Sequence, residues 1–392
     1  MKSKKLLVIA PAFPDRFDKD IDGIFIKDQL KYIKKYFSEV YVIAPSTIWS
    51  NSIFGKKRAD YTWDNVHVYY PLIANLPSPY VPSILKRLWL QREANEVSRL
   101  IESEKISFDL IHAHYTWYPG AIALELKEKF GTPIVITEHT SMTLRKALKK
   151  KDPYFINTWK NCDAIISGNQ KNALEIAVFN KNSIYIPNGF DEGIIYPQDK
   201  EECRKILNID KNIDVILSIG SLLEVKGHKY LIAAIKEIAE NGKNVLCLIG
   251  GSGPMRNKLI NMIKDSNLSA NVVLMGQVSH KDISILINAS DIFVLPSLSE
   301  SFGIVQIEAL ACGKPVVATI NGGSEEIITS EQYGYLVEPG NVKQLAEKII
   351  KALDKDWDAE VIRAYASIFT WKKIAKKIVS IYEDLEKDYT NR

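Results

Sequence analysis

The sequence predicts an α/β protein with two doubly wound domains, and two observations lead to this prediction. Short apolar runs rich in Val and Ile alternate with segments of helical spacing, which is typical of parallel sheets covered by helices on both faces. The alternation is interrupted at residues 184–191, IYIPNGFD, where Pro187 and Asn188-Gly189 stop any regular element. At 392 residues the chain is long enough for two independent cores.

The first half begins with a buried strand at 5–10 and a loop rich in Pro and Asp. A helix is predicted over 24–37, because Phe25, Ile26, Leu30 and Ile33 fall on one side of it. Further strands are predicted at 40–44, 108–112, 133–137 and 163–167, with helices at 120–129 and 153–160. We therefore expect one domain over residues 1–190.

After the break the alternation restarts, so a second domain is expected over residues 191–370. The predicted strands, each followed by a helical pattern, lie at 214–219, 245–250, 272–275, 291–295 and 315–319. The tail at 371–385 has the spacing of one amphipathic helix, within a final segment 371–392.

Composition indicates an ordinary soluble protein, with 46% hydrophobic and 25% charged residues. The cysteines are scattered without a CxxC pair, so neither disulfides nor a zinc cluster is expected, and a reducing compartment is favoured. The apolar run at 6–10 is too short for a signal peptide, and no stretch reaches the roughly 18 apolar residues of a membrane span. A cytoplasmic location follows as the expectation.

The net charge of +4 is unevenly distributed, with +8 in residues 1–190 and −4 in the remainder. Basic runs occur at 145–151 (RKALKKK), 56–58 and 86–87, with apolar neighbours at Trp49, Ile53, Phe54 and Leu148. This pattern indicates contact with an anionic membrane surface on the inner face of the membrane. Nucleic acid is not expected as a partner, because no nucleic-acid-binding motif accompanies the basic runs.

The stretch 296–315, PSLSESFGIVQIEALACGKP, carries the strongest chemical signal. It follows a predicted strand, and a helix is expected to start at Ser301 as the cap and to end at Gly313. The apolar side of that helix is formed by Ile304, Ile307, Leu310 and Ala311.

Two carboxylates flank the start of this helix. Glu300 precedes it, and Glu308 is expected about two turns inside it. The backbone N–H groups of Phe302, Gly303 and Ile304 lie at the positive end of the helix dipole, where a phosphate is stabilised. Two acids on either side of an anion seat can hold the hydroxyl groups on both sides of a diphosphate.

Glu300 and Glu308, separated by seven residues with Phe302-Gly303 between them, resemble the signature of the retaining glycosyltransferases of family 4. The resemblance implies a GT-B fold, in which two Rossmann-like domains face each other across a cleft and a C-terminal helix crosses back to the first. The first domain would bind the acceptor and the second the nucleotide-sugar. Glu300 would hold hydroxyls of the donor sugar, Glu308 the ribose, and the intervening amides the diphosphate.

The loop 220–227, GSLLEVKG, follows a predicted strand, and Lys226 can neutralise a diphosphate. Family members often carry an Arg where this chain has Ser221, so one cation stands where two are common. The glycine-rich segment 250–254 contains Gly253 and lacks the third glycine of a dehydrogenase fingerprint, because Arg256 stands there. Tight-turn glycines near the donor fit this segment better, and backbone near Val278 is expected to contact the base.

His114, in DLIHAHYTWYPG, is the first-domain candidate for supporting charge that develops at the anomeric carbon. His112 lies two residues earlier on the same strand face and is the expected structural histidine, and His139 is a second choice for the active site. The neighbouring aromatic residues are consistent either with the core or with an acceptor platform: Tyr115, Trp117 and Tyr118.

Asp18, Asp20, Asp22 and Gly23 imitate the start of a calcium loop. The twelfth position is Gln29 and no helix precedes the triplet, so calcium is rejected. The two-domain pattern also argues against a metal-binding DxD motif. Gly23 resembles the first-domain glycine of family 4, whose loop passes the donor phosphates, so we expect no metal and no cofactor.

The expected function is transfer of a sugar from a UDP- or GDP-sugar to a glycan or lipid-linked hydroxyl, with retention of configuration, in cell-surface polysaccharide synthesis. Two alternatives remain open. A sugar-nucleotide epimerase of the same architecture would release no stoichiometric nucleotide, and a non-catalytic sugar-nucleotide-binding protein would bind donor without turnover.

Overall fold

The computed structural model describes residues 1–18, 22–47, 58–74 and 83–390. The chain divides into two compact units. One comprises Met1–Pro187 and Trp371–Arg392, and the other Asn188–Thr370. The first crossing, between Pro187 and Asn188, falls within the predicted break at 184–191.

The sheet of the first unit has eight strands among the described residues, in the order β10-β9-β8-β7-β1-β2-β5-β4. Neighbours are parallel except β4 and β5, which form an antiparallel hairpin at the edge. The strands are β1 (Lys5–Ile9), β2 (Glu39–Ile43), β3 (Ser46–Thr47), β4 (Tyr61–Trp63), β5 (Val66–Tyr69), β6 (Leu72–Ile73), β7 (Leu110–His114), β8 (Ile134–Glu138), β9 (Ala164–Ser167) and β10 (Ser183–Tyr185). β3 and β6 pair separately.

Helices cover both faces of this sheet, as the predicted alternation requires. They span Ile24–Ile33, Lys86–Ser103, Ala121–Phe130, Ser141–Lys150, Pro153–Asn161 and Gln170–Ala177. The C-terminal helix Trp371–Thr390 packs on the first unit, which confirms the predicted return of the chain. Its buried side chains, among them Ile378 and Tyr382, join the same core cluster as Leu30 of the helix Ile24–Ile33.

The sheet of the second unit is wholly parallel and has the order β13-β12-β11-β14-β15-β16 among the described residues. Its strands are β11 (Asp214–Ile219), β12 (Val245–Gly250), β13 (Val272–Gly276), β14 (Ile292–Leu295), β15 (Val316–Thr319) and β16 (Gly334–Val337). The helices are Lys200–Ile206, His228–Glu240, Arg256–Asp265, His280–Ala289, Ile304–Ala311, Val342–Asp354 and Ala359–Ala366. This strand order is that of a Rossmann-like sheet, so the predicted doubly wound class is confirmed.

Each sheet reverses its strand order at one place, between β1 and β7 in the first unit and between β11 and β14 in the second. Ligands of doubly wound sheets bind beyond the carboxyl ends of the strands at such a switch point. The loops after β11 and β14 contain Lys226 and Glu300, respectively. In the first unit, the loop after β1 leads to Gly23, and β7 ends at His114.

Two differences from the sequence-based predictions have identifiable reasons. The strand predicted at 108–112 runs instead over Leu110–His114, because the buried His112 and His114 continue it where the apolar pattern stops. The edge hairpin of β4 and β5 was not predicted, although it turns at Asp64-Asn65 with Asp64 at φ 51°. No helix among the described residues combines the length and the apolar character needed to cross a membrane.

Candidate active site

The helix after β14 begins later than the sequence predicts. Ser301 does not cap it. Instead Gly303, at φ 89°, occupies the N-cap position and the helix runs over Ile304–Ala311. Only glycine adopts this left-handed conformation readily, and a Cβ there would collide with the amide of Gln306. Glu308 is therefore the fifth helical residue, just over one turn in rather than two.

The end of the same helix agrees with the prediction. Gly313 has φ 75° and follows the C-cap. Its N–H donates to the carbonyl of Leu310 at 2.9 Å, while the N–H of Lys314 donates to Ala309 at 3.0 Å. These two bonds form a Schellman motif, which fixes the C-terminus of the helix and hence its entry angle onto the sheet.

The N-terminus of this helix offers unused hydrogen-bond donors. Within the described residues, the N–H groups of Phe302, Gly303 and Ile304 have no backbone acceptor. Gly323, in the loop after β15, approaches the Phe302 backbone closely, since a Cβ there would lie 2.8 Å from the Phe302 nitrogen. Gly323 was not predicted as a site residue, although the pair Gly322-Gly323 after a strand was an available signal. These three donors, at the carboxyl edge of β14, are the ones predicted to form an anion seat.

Glu300 lies beside this seat and is held by two donors. The ammonium of Lys226 donates to its Oε1 at 2.6 Å, and the Ser297 hydroxyl donates to the same oxygen at 2.8 Å. The Glu300 side chain is 10% exposed and that of Lys226 is 26% exposed. The structure therefore joins two residues that the sequence pointed to separately, and it places them on opposite sides of the switch point.

Glu308 is buried, with 4% of its surface exposed. A Glu pair at this spacing often lies on a solvated helix face, but both carboxylates here lie inside the fold. Burying a carboxylate costs free energy. A role in binding the hydroxyl groups of a ligand would account for retaining Glu300 and Glu308 at buried positions. The burial of Glu300 and Glu308 thus argues against a purely solvent-facing role.

The other residues predicted to contact a donor lie on neighbouring loops of the second unit. Ser221 is exposed after β11, while half-buried Val278 packs against Gly250. Gly253 has a local structural reason to be glycine, because a Cβ there would lie 2.6 Å from the carbonyl oxygen of Leu222. The N–H of Leu222 donates to Ser252 at 2.8 Å, so these two loops are joined at the switch-point edge.

His228 is a residue that the sequence analysis missed. It is 2% exposed, and its ring lies against the backbone of Gly220 and Ser221. A Cβ at Gly220 would lie 3.8 Å from its Nε2 and 3.9 Å from Cδ of Lys226, so both side chains border the open side of Gly220. Burial lowers the pKa of His228 to about 4, and the ring is neutral at pH 7. Its position directly after Lys226-Gly227 was the available sequence signal.

In the first unit, three histidine rings pack together at the carboxyl ends of β7 and β8. The rings of His112 and His114 are 4.4 Å apart, and those of His114 and His139 are 5.3 Å apart and nearly parallel. Burial lowers the pKa of His112 and of His139 to about 3 and that of His114 well below its ordinary value. All three imidazoles are therefore neutral at pH 7.

The hydrogen bonds of these histidines distinguish their roles. His112 is fully occupied, since its Nε2 contacts the Thr137 hydroxyl at 2.7 Å and its Nδ1 contacts the Tyr382 hydroxyl at 2.6 Å. His114 has only its Nδ1 occupied, by Nε2 of His139 at 3.0 Å, and its buried Nε2 has no partner among the described residues. His114 thus has a free hydrogen-bonding atom, whereas His112 has a structural environment.

The remaining first-unit candidates are Gly23 and the aromatic residues that follow His114. Gly23, at φ 80°, precedes the helix Ile24–Ile33, and a Cβ there would collide with the carbonyl of Ala12. Tyr115 packs on His139 with ring centroids 4.9 Å apart. Trp117 and Tyr118 pack against the second core cluster of the unit, which favours the core over an acceptor platform for both.

Comparison with known proteins identifies the family. The family model described as Glycosyl transferases group 1 matches residues 199–368, and the model of Glycosyltransferase Family 4 matches residues 34–193. An uncharacterized glycosyltransferase of Methanocaldococcus jannaschii is 32% identical over 293 residues, which cover 73% of this chain and 78% of the relative. A Bacillus subtilis glycosyltransferase named for teichuronic acid biosynthesis is 27% identical over 371 residues, 91% of each chain.

Among solved structures, HepE of Anabaena in complex with UDP-glucose has a TM-score of 0.75 and 21% identity, covering 97% of this chain and 100% of its own. At that identity the likeness shows the fold alone. The strand orders of the two sheets, the two matched family models and the archaeal relative agree, and this chain belongs to the family 4 glycosyltransferases of GT-B fold.

Proposed function

We propose that the protein transfers a sugar from a UDP- or GDP-sugar to a hydroxyl of a glycan or lipid-linked acceptor in cell-surface polysaccharide synthesis, with retention of anomeric configuration. The observation that carries the proposal is the contact of Lys226 with Glu300 beside the unused amides of Phe302, Gly303 and Ile304. The teichuronic acid name of the Bacillus relative and the UDP-glucose complex of HepE support the donor class and the pathway class.

In this proposal the diphosphate binds the amides at the start of the helix Ile304–Ala311. Lys226 has three N–H donors and can contact the diphosphate while it keeps its bond to Glu300. Glu300 accepts hydrogen bonds from sugar hydroxyls, and Glu308 accepts them from the ribose. Loop residues contribute the remaining donor contacts: Gly23, Ser221, Gly253 and Val278.

The chemistry that follows is front-face attack, in which the acceptor hydroxyl gives its proton to the departing diphosphate. The helix N-terminus and Lys226 stabilise the negative charge that develops on the leaving group. The proposed mechanism therefore includes no metal ion. His114 is the first unit's catalytic contribution, through its unoccupied Nε2. The first unit would supply the acceptor site, and the helix Trp371–Thr390 packs on that unit.

Replacing Glu300 tests the proposal. We expect Glu300→Ala to fold and to lose transfer by about 10²–10³-fold, because it removes a preorganised contact to the donor sugar. The assay follows release of nucleoside diphosphate together with the anomeric configuration of the product by NMR. Glu240→Ala, on a helix surface and 65% exposed, is the matched control. Undiminished transfer by Glu300→Ala would remove that residue from the mechanism, and epimerised donor without nucleotide release would identify the epimerase alternative.

We also propose that the first unit associates with an anionic membrane surface on the cytoplasmic side. Lys86 pairs with Asp152 at 3.0 Å, which joins the start of the helix Lys86–Ser103 to the segment after the basic helix Ser141–Lys150. Beside it, Ile84 and Leu88 are 88% and 61% exposed. Apolar tips next to a basic helix are typical of interfacial binding. The predicted contributors Trp49, Ile53, Phe54, Lys56 and Lys57 lie outside the described residues.

Co-sedimentation with vesicles measures this association. Leu88→Glu is expected to reduce binding to phosphatidylglycerol vesicles several-fold, since it adds repulsion and removes an inserting side chain. Leu174→Glu, at a position that is 67% exposed on another helix, controls for the added charge. Equal binding by both variants, or equal binding to neutral phosphatidylcholine, would contradict the membrane proposal.

A further inference from the structure

We infer that His139 sets the tautomer of His114, so that His114 carries its proton on Nδ1 and offers a lone pair on Nε2. This inference rests on the proposed function of His114 and adds a positioning residue to it. From the sequence, His139 was the second choice for the active-site role of His114. The geometry assigns the two histidines different roles within one hydrogen-bonded pair.

The contact is a single hydrogen bond between two neutral rings. Nδ1 of His114 and Nε2 of His139 are 3.0 Å apart, and the ring planes differ by 10°. A neutral imidazole has one N–H and one lone pair. One of the two facing nitrogens therefore donates its N–H, and the other accepts the hydrogen bond with its lone pair. The direction of this bond determines whether the opposite nitrogen of each ring carries an N–H or a lone pair.

The environment of Nε2 on His114 indicates the direction of this bond. His114 is 0% exposed, and its Nε2 has no partner among the described residues. Buried N–H groups without an acceptor are rarer in native proteins than acceptors that lack a donor. The less costly arrangement leaves the lone pair on the buried Nε2, puts the proton on Nδ1 and makes Nε2 of His139 the acceptor.

The groups around this pair are aromatic rings or polar groups that already have hydrogen-bond partners. Phe25 and Tyr115 pack on the His139 ring, with centroids 4.8 Å and 4.9 Å away. His112, whose ring centroid lies 4.4 Å from that of His114, has both nitrogens occupied by hydroxyls. The Glu138 carboxylate accepts from the N–H of Thr116 at 3.1 Å and from the N–H of Thr140 at 2.8 Å. In the described part of the chain, the hydrogen bonds of Glu138 go to Thr116 and Thr140 and leave the His114–His139 bond intact.

The consequence concerns what His114 can recognise. With the lone pair on Nε2, His114 accepts a hydrogen bond from a hydroxyl group of the ligand and cannot donate one there. The partial negative charge on Nε2 of His114 also stabilises positive charge that develops nearby, as at an anomeric carbon during transfer. His139 acts only through His114, by holding the acceptor end of the bond that fixes the tautomer.

Nitrogen-15 NMR of selectively labelled histidine tests the assignment without turnover. Long-range correlations distinguish a protonated from an unprotonated ring nitrogen, and loss of one signal set in His114→Gln identifies the residue. We expect His114 protonated at Nδ1 in the wild type, and a shift toward protonation at Nε2 in His139→Phe, which lacks the acceptor. A wild-type His114 protonated at Nε2, or an unchanged tautomer in His139→Phe, overturns the inference.

Kinetics test the consequence. His139→Phe is expected to lower kcat for transfer about 10–100-fold, as removal of a group that orients a functional histidine does. His139→Gln, whose side-chain oxygen can still accept from Nδ1, should restore most of the rate. Thr137→Val is the matched control, because it removes a hydrogen bond of the same histidine stack at His112 and leaves the His114–His139 contact in place.

The two readouts separate the two proposals. If His139→Phe changes the tautomer and transfers sugar at the wild-type rate, the positioning role is refuted while the proposed activity stands. If the wild type shows no transfer with any UDP- or GDP-sugar, the proposed function fails, and the tautomer assignment is still decided by the NMR spectrum.

Discussion

Replacing Lys226 by Met tests the contact on which the proposed donor site depends. Lys226 donates to Glu300 at 2.6 Å, and the acceptor side chain is only 10% exposed. The substitution keeps an apolar chain of similar length but leaves a largely buried carboxylate with the Ser297 hydroxyl as its remaining described donor. Transfer should fall about 10²–10³-fold, because a preorganised cation next to the leaving group is lost.

The cost in stability can be bounded from the same geometry. A hydrogen bond to a charged group contributes about 1.5–3 kcal/mol, and the partial exposure of Lys226 favours the lower end of that range. We therefore expect Lys226→Met to lower the free energy of unfolding by about 1–2 kcal/mol. Glu300→Gln should cost less, and the double variant should lose less than the sum of the two single variants, because the carboxylate that needs the ammonium is absent.

The assays are urea denaturation of all four proteins and thermal shift with UDP, GDP and their sugar conjugates. A donor present at a concentration of 100 times its Kd raises the free energy of unfolding of the wild type by about 2.7 kcal/mol. This increase should be smaller in Lys226→Met. Lys226→Arg, which keeps the charge, is the control. Wild-type transfer and an undiminished donor shift in Lys226→Met, or strictly additive stability losses, would refute the reasoning.

Two further perturbations follow from the described geometry. Gly303→Ala should destabilise the protein by about 1–2 kcal/mol and abolish donor-induced stabilisation, because φ 89° is strained for alanine and the added Cβ would collide with Gln306. Gly242→Ala, at φ 83° with open space around it, controls for backbone strain alone. Equal donor-induced stabilisation of the two variants would contradict the prediction. The free energy of unfolding should fall as the pH drops from about 6.5 toward 3. The reason is that His112 and His139 have a pKa of about 3 in the folded state, so the unfolded state binds their protons more readily. Each histidine should contribute a slope of about 1.4 kcal/mol per pH unit. Urea denaturation at several pH values measures that slope, and it should decrease in His112→Phe; an unchanged slope would mean that His112 does not contribute.

Much of the fold followed from local patterns. The alternation of short apolar runs and helical segments predicted two doubly wound units, and β1, β2, β8, β9 and β11 lie within one residue of their predicted bounds. The Gly313 terminus was predictable because a Schellman motif depends on a few adjacent residues. The Ser301 cap was wrong because two signals competed, and the left-handed conformation of Gly303 delays the start of the helix.

The sequence by itself pointed to the candidate residues of the site: the acids Glu300 and Glu308, the glycine between them, Lys226 and His114. Only the tertiary structure decided which of them meet. Lys226 and Glu300 are 74 positions apart and His114 and His139 are 25 apart, and each pair comes together at the carboxyl ends of strands. Spacing along the chain determines which face of a strand or helix a side chain occupies. Strand order and loop conformation, which long-range packing sets, determine its partner.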